Sequence, residues 1–193
     1  MTLVPLNGST MNQIAVWRIL GEGESESTYF DELKRYLSTV TFRTDDAKGG
    51  DLANVWRLSG KKLKEGLKIV VMDIDNNDPE ELREFRGWCD QNRINLIISN
   101  PSIEVWLLMH FKDVSSNMDQ DDLEGGLSKA VGHEYQKRKG IRPTRRMVSE
   151  ASVRARKKIP RDGDPFEFVL THPGNTMMPI IFDIVGEDVV VSK

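Results

Sequence analysis

"LKIVVMDID", Leu67 to Asp75, decides the fold. Ile69 to Met72 form an unbroken apolar run that ends in two aspartates. A run so short and rich in β-branched residues reads as a buried strand. Downstream, "PEELREFRGWCDQN" (79–92) reads as a helix with Pro79 in its first turn, and "INLIIS" (94–99) as another buried strand. "NPSIEVWLLMHF" (100–111) then reads as a helix capped by Asn100, with Pro101 at its first position. Upstream lie a helix over 51–66 interrupted at Gly60, a strand "VTFRT" (40–44) and a helix "SESTYFDELKRYL" (25–37). Ser25 or Ser27 is the expected cap of that last helix, and Tyr29, Phe30, Leu33 and Leu37 share one face. A first strand, "IAVWRIL" (14–20), stops at Gly21, after a loose lead-in over 1–12. Strands alternating with helices predict an α/β fold with a mainly parallel sheet flanked by helices.

After residue 112 the pattern changes. Residues 119–131 and 144–158 read as polar helices, "PFEFVL" (165–170) as a strand, and 175–193 as a short helix followed by a closing strand at 188–192. The expected organisation is one domain over 1–193. Its core spans about 13–111, and a mostly helical, basic C-terminal extension spans about 112–193.

At 193 residues, 38% of them hydrophobic and 30% charged, the chain is expected to be globular, soluble and large enough for a real core. No apolar stretch approaches the roughly 20 residues of a membrane helix. The first residues carry no basic and apolar leader pattern, and the single Cys89 has no internal disulfide partner, so a reducing cytoplasm is expected. Cys89 sits in an amphipathic stretch and reads as packing. The net charge of −3 argues weakly against nucleic acid, but its distribution argues for it. "DQDDLE" (119–124) is acidic, whereas Lys137 to Arg161 hold eleven Lys or Arg against one acid, Glu150.

Sites in open α/β sheets gather beyond the carboxyl ends of the strands. Three strands here end in or near acid: the first at Gly21-Glu22-Gly23, the third at Asp73-Ile74-Asp75, and the fourth at Ser99-Asn100-Pro101 with Glu104 one turn further on. Crowded carboxylates repel one another unless a cation sits among them, and Mg²⁺ is the hard ion that accepts one or two carboxylates and phosphate oxygens. Strand alternation sends Asp73 and Asp75 to the same side. Other readings compete. Glu24 and Glu26 can simply complement a helix dipole. Asp73 to Glu84 imitates an EF-hand loop, but Asp78 stands where Gly is needed and Pro79 follows it. A phosphatase D-x-D signature fails at Asn77.

These residues resemble a family. A strand ending in Glu-Gly followed by a strand ending in Asp-x-Asp is similar to the Toprim pattern of topoisomerases, primases and several nucleases. "GEGESESTYF" (21–30), "VVMDIDNN" (70–77), "ISNPSIEVWLLMHF" (98–111) and "HEYQKRKG" (133–140) more narrowly resemble the RloB-like proteins, small bacterial Toprim proteins often encoded beside restriction or phage-defence genes. The resemblance runs from about 14 to 180. It implies a Toprim-like core, with Glu22 as the Toprim glutamate and Asp73 and Asp75 as the Asp-x-Asp pair. Glu26 matches a second acid that helps hold a metal in overcoming-lysogenization-defect nucleases. Glu104 falls where those nucleases carry a further acid, and Lys137 matches the lysine of a Tyr-x-Lys segment. "THPGNTMMPII" (171–181) resembles the family only loosely, so the resemblance leaves the site role of Thr176 and of that segment open.

The resemblance implies a metal-dependent phosphodiesterase, a nuclease of phage defence or restriction. Mg²⁺ or Mn²⁺ is the cofactor, as one or two ions. Glu22, Asp73 and Asp75 would hold one ion, and Glu26 and Glu104 a second. Lys137 would stabilise charge on the phosphate, or else belong to a solvated basic face. Lys137, Arg138, Lys139, Arg142, Arg145, Arg146, Arg154, Arg156, Lys157 and Lys158 are the candidate nucleic-acid contacts. The lack of aromatics beyond Tyr135 favours backbone contacts over base reading. His110, in "LLMHF", reads as a satisfied, partly buried histidine, and His133 and His172 offer no pairing. DNA is expected ahead of RNA. A P-loop is absent, so any ATPase partner is a separate chain. A homo-oligomer stays open. Two further readings remain: a non-catalytic Toprim module that binds nucleic acid or a partner, and an RNA-processing enzyme like the Toprim ribonuclease that matures 5S ribosomal RNA.

Overall fold

A computed structural model of the chain describes residues 15–34, 40–48, 51–74 and 77–185. Its sheet has five strands in the order β2-β1-β3-β4-β5. These are β1 (Ala15–Gly21), β2 (Val40–Asp46), β3 (Leu67–Asp73), β4 (Ile94–Asn100) and β5 (Asn175–Thr176). The first four run parallel, and only β5 is antiparallel to its neighbour. Helices α1 (Glu24–Leu33), α2 (Leu52–Lys62) and α3 (Pro79–Gln91) make the crossovers, and α4 (Glu104–Met109) follows β4. Four more helices follow among the described residues: α5 (Gln120–Val131), α6 (Arg145–Lys158), α7 (Pro165–Thr171) and α8 (Met178–Val185). This is the mostly parallel, helix-flanked sheet expected of the sequence and is consistent with a Toprim-like fold.

Parallel strands covered on both faces need apolar residues on both sides, which is why β3 and β4 read as continuous apolar runs. Ile69 to Met72 and Leu96 to Ile98 are all buried. Tyr29, Phe30 and Leu33 fix α1 against the sheet, while Leu37 lies outside the described residues. Cys89 is buried on α3, and loss of hydration pushes its thiol up, as expected of a packing residue. The cluster Trp56, Phe85 and Trp88 locks α2 to α3. Gly60 does not interrupt α2: the Trp88 ring lies 3.5 Å from where a Cβ would stand, and the helix runs through to Lys62.

Several expected boundaries are corrected. Neither Ser25 nor Ser27 caps α1; the N-cap is Gly23, and the Glu26 carboxylate accepts from the Gly23 amide at 3.1 Å. Asn100 does not cap α4. It stays in β4, its peptide bond to Pro101 is cis, and its Nδ2 donates to the carbonyls of Val169 and Leu170 at 2.9 and 3.3 Å. Its polar side chain therefore serves the end of α7, and α4 begins only at Glu104.

The expected strand 165–170 is the helix α7. Asp164 accepts from the Phe166 amide at 2.9 Å and Pro165 occupies the first turn. Phe166, Val169 and Leu170 bury one helical face, and Phe168 stacks outside on His172 with ring centroids 4.2 Å apart. The expected strand 188–192 lies outside the described residues. The antiparallel edge is instead β5, where Ser99 and Thr176 share a hydroxyl hydrogen bond of 2.7 Å. Among the described residues no helix is long and apolar enough to cross a membrane.

Candidate metal centre

Because β1, β3 and β4 are adjacent and parallel, their carboxyl ends meet on one edge. Gly21 pairs with Val71, and Asp73 pairs with Ser99. Glu22 extends the β1–β3 ladder by one bond, its amide donating to the Val71 carbonyl at 3.1 Å. Its carboxylate accepts from the Asp73 amide at 3.1 Å. Asp73 in turn accepts from the Ile103 amide at 2.7 Å, which fastens the start of α4 to the end of β3. Gly21 is required here, because a Cβ would stand 2.7 Å from the Glu26 Cβ. Glu22, Asp73 and Glu26 thus each have one oxygen held by a backbone amide, and this fixes their direction.

Glu104 is held differently. Its Oε1 accepts from the Ser25 hydroxyl at 2.8 Å and from the Tyr135 hydroxyl at 3.1 Å. Its Oε2 is buried and has no hydrogen-bond partner among the described residues. Glu104 is 0% exposed and Glu26 2%. Unpaired buried oxygens of this kind cost free energy, on the order of 1–3 kcal/mol each and more when charged.

The electrostatics agree with a shortage of positive charge. Burial lifts the Glu26 carboxyl from 4.5 to about 7, with the Glu104 and Glu22 charges adding to it. Loss of hydration, followed by the charges of Glu26, Glu104 and Glu22, holds Asp73 well above the usual carboxylate range despite the Ile103 amide. Burial pulls the Lys137 ammonium down, but the charges of Glu104, Glu124, Asp73 and Glu26 outweigh it and raise its proton affinity. Lys137 therefore lies within the field of the cluster. Its nearest paired carboxylate is Glu124, at 3.7 Å.

Among the described residues no three His, Cys, Asp or Glu side chains already form a group able to hold a metal ion. Asp75 lies outside those residues. The donors present nevertheless fit a hard divalent cation. Glu22, Asp73, Glu26 and Glu104 offer only oxygen, and among the described residues Glu104 Oε2 is left without a proton donor. Glu24 stands apart on the surface and pairs with Arg138 at 3.5 Å.

The ten basic candidates divide. Arg138 and Arg146 are 84% and 88% exposed, and Lys137, Lys139, Arg142, Arg145 and Lys157 are exposed as well. Arg154 and Lys158 turn back into the protein, whereas Arg156 stays exposed but is tied to α8. Arg154 donates to the Met109 carbonyl at 2.7 Å. Arg156 makes a two-pronged contact with Asp183 at 2.6 and 3.0 Å. Lys158 donates to the carbonyls of Val114 and Gly174 at 2.9 and 2.5 Å.

His110 is buried between Trp106 and Tyr29. Its Nδ1 lies 2.9 Å from the Trp106 carbonyl and its Nε2 3.3 Å from the Tyr29 hydroxyl. Burial lowers its pKa to about 4, so it is a satisfied neutral histidine, as expected. His133 and His172 are exposed. Sequence reasoning missed Ser25 and Tyr135 as partners of Glu104. Ser25 looked like a helix cap and Tyr135 like a lone aromatic beside basic residues, and only the fold brings them together.

A family model described as RloB-like protein matches residues 18–171. No curated protein and no solved structure shows a significant match to the chain.

Proposed function

The chain belongs to the RloB-like protein family, and from that premise we propose that its carboxylate edge binds Mg²⁺ or Mn²⁺ and hydrolyses phosphodiester bonds in nucleic acid. The observation that carries this reading is the buried Glu104 Oε2, without a partner among the described residues, beside Glu26 and Asp73 carboxyls raised by burial and mutual repulsion. A carboxylate cluster kept at a cost to stability is a candidate for function. A divalent ion bound there supplies neutralisation of phosphate charge and activation of water.

The chain's own residues have distinct parts. Glu22, Asp73 and Asp75 hold one ion, and Glu26 and Glu104 hold a second. The backbone amides on Glu22, Asp73 and Glu26 keep those carboxylates aimed without reorganisation during turnover. The Lys137 ammonium, kept protonated by its acidic neighbours, stabilises negative charge on the phosphate. Exposed Arg138, Lys139, Arg142, Arg145, Arg146 and Lys157 meet the phosphate backbone, giving binding with little sequence preference.

DNA is the first substrate of the proposal, in a phage-defence or restriction setting. An ATPase partner, if used, is a separate chain. The test is cleavage of single- and double-stranded DNA and RNA, side by side, in Mg²⁺ and Mn²⁺. Wild-type protein is expected to cut at least one substrate and Asp73→Ala none. Equal background from both proteins across all substrates sinks the nuclease reading. A binding module without catalysis is then the remaining one, and it binds nucleic acid without any metal-dependent rise in Tm.

A further inference from the structure

Glu104 takes its direction from two side chains. Ser25 lies at the start of α1, and Tyr135 lies in the loop between α5 and α6. Both hydroxyls donate to the same oxygen, Oε1. With their protons spent on Glu104, the two hydroxyls stand 3.5 Å apart, a spacing too long for a good bond between them. A carboxylate pinned through one oxygen by two donors cannot rotate freely, so its other oxygen, Oε2, points where the pair directs it. That oxygen is the one with no partner among the described residues.

The pair is itself well braced. The Tyr135 amide donates to the Ser128 hydroxyl at 2.9 Å, and Tyr135 is 7% exposed. Five residues on, Gly140 has φ +55°, and a Cβ there would stand 2.8 Å from the Thr28 methyl. The loop is therefore pressed onto α1 at Gly140 and reaches Glu104 at Tyr135. A tyrosine buried to this depth, with its hydroxyl aimed at a carboxylate, needs a reason beyond filling space.

We propose that Tyr135 and Ser25 are positioning residues for the metal centre: together they hold Glu104 Oε1 and so present Oε2 to the cation. The proposal rests on the metal-binding reading of the edge. The same loop carries Lys137 two residues beyond Tyr135, so docking of the tyrosine also sets where that ammonium stands relative to the acids.

The experiment is a Mn²⁺ titration of the full chain by calorimetry, with Tm measured on the metal-free protein in parallel. Tyr135→Phe removes the hydroxyl and keeps the ring. It is expected to weaken Mn²⁺ binding about tenfold, the usual scale for a residue that orients a ligand, while the metal-free Tm moves little. Ser25→Ala removes the other donor without touching the loop, is expected to act in the same direction, and carries the test alone if the phenylalanine variant does not fold. In a Glu104→Gln background neither change is expected to weaken binding further. Unchanged Mn²⁺ affinity in Tyr135→Phe and Ser25→Ala overturns the proposal, as does a full additional loss in the Glu104→Gln background. Absence of Mn²⁺ binding by the wild type overturns the metal reading itself. Wild-type binding that Asp73→Ala abolishes and the two hydroxyl variants leave intact overturns the positioning role alone.

Discussion

At the carboxylate edge, Glu26 and Glu104 are buried and form no ion pair among the described residues; along α6, cations are either exposed or matched to an acceptor. Glu26 and Glu104 sit at 2% and 0% exposure and add to the repulsion that raises Asp73. On α6, Arg146 pairs with Glu150 at 2.8 Å on the surface, and Arg154, Arg156 and Lys158 end on carbonyls or on Asp183. Crowded charge in one region opposes folding, and in the other it joins elements together. Buried, uncompensated charge is therefore the stronger sign of a ligand, because a fold has little other reason to keep it.

The sharpest way to break this contrast is at Asp73. Asp73→Ala is expected to reduce cleavage by a factor on the order of 10³ and to abolish any Mn²⁺-dependent rise in Tm. Asp73→Asn keeps an oxygen for the Ile103 amide while removing a charge, so its metal-free Tm at pH 8 is expected to exceed that of the wild type. A lower Tm in the asparagine variant would place Asp73 among the stabilising charges.

Next in size is the pH response. The folded-state pKa of Glu26 lies at about 7, above its ordinary 4.5, so the folded chain holds this proton more tightly than the unfolded chain does. Stability from this group is then full below about pH 4.5 and is lost as pH rises towards 7, on the order of 3 kcal/mol in all. Asp73 shifts in the same direction. Metal-free Tm is expected to fall between pH 5 and 8, and saturating Mn²⁺ to flatten the fall. A profile unchanged by Mn²⁺ would show that the acids are already compensated within the chain.

A smaller effect tests the other half of the contrast. Lys158→Ala leaves the carbonyls of Val114 and Gly174 without their donor, and a loss of about 1–2 kcal/mol is expected in chemical denaturation. Smallest of all are the exposed cations. Arg138→Ala and Arg142→Ala are each expected to leave Tm unchanged and to lower the salt slope of nucleic-acid binding by about one. If Lys158 behaved like Arg142 in both assays, the division of the basic segment into anchoring and contacting residues would fail.

The sheet and the converging acids were legible because both depend on short patterns. An apolar run ending in Asp73, and another ending in Gly21-Glu22, identify strand ends without reference to anything distant. Residues 165–170 misled because Phe166, Phe168 and Leu170 alternate like a strand, while Phe166, Val169 and Leu170 also match a helix; Asp164-Pro165 was the deciding start signal. Asn100 misled because a good cap residue was committed to carbonyls about 70 positions away. The Ser25 and Tyr135 bonds to Glu104 carry no local signature. Nor does the inward turn of Arg154 and Lys158, since a basic helix reads the same whether its side chains face water or carbonyls.

The span of the bonds at Glu104 has a consequence for how the molecule folds. Ser25 and Glu104 are 79 residues apart, and Tyr135 lies 110 from Ser25. Local helices and the β3–β4 crossover can form early, but this junction closes only when three distant segments have docked. It also belongs to the contacts that a partial opening of the 133–140 loop would release first. If the edge binds Mn²⁺ as proposed, its affinity would report the completeness of folding more stringently than helix content does, and a refolding chain would regain its circular dichroism before its Mn²⁺ affinity.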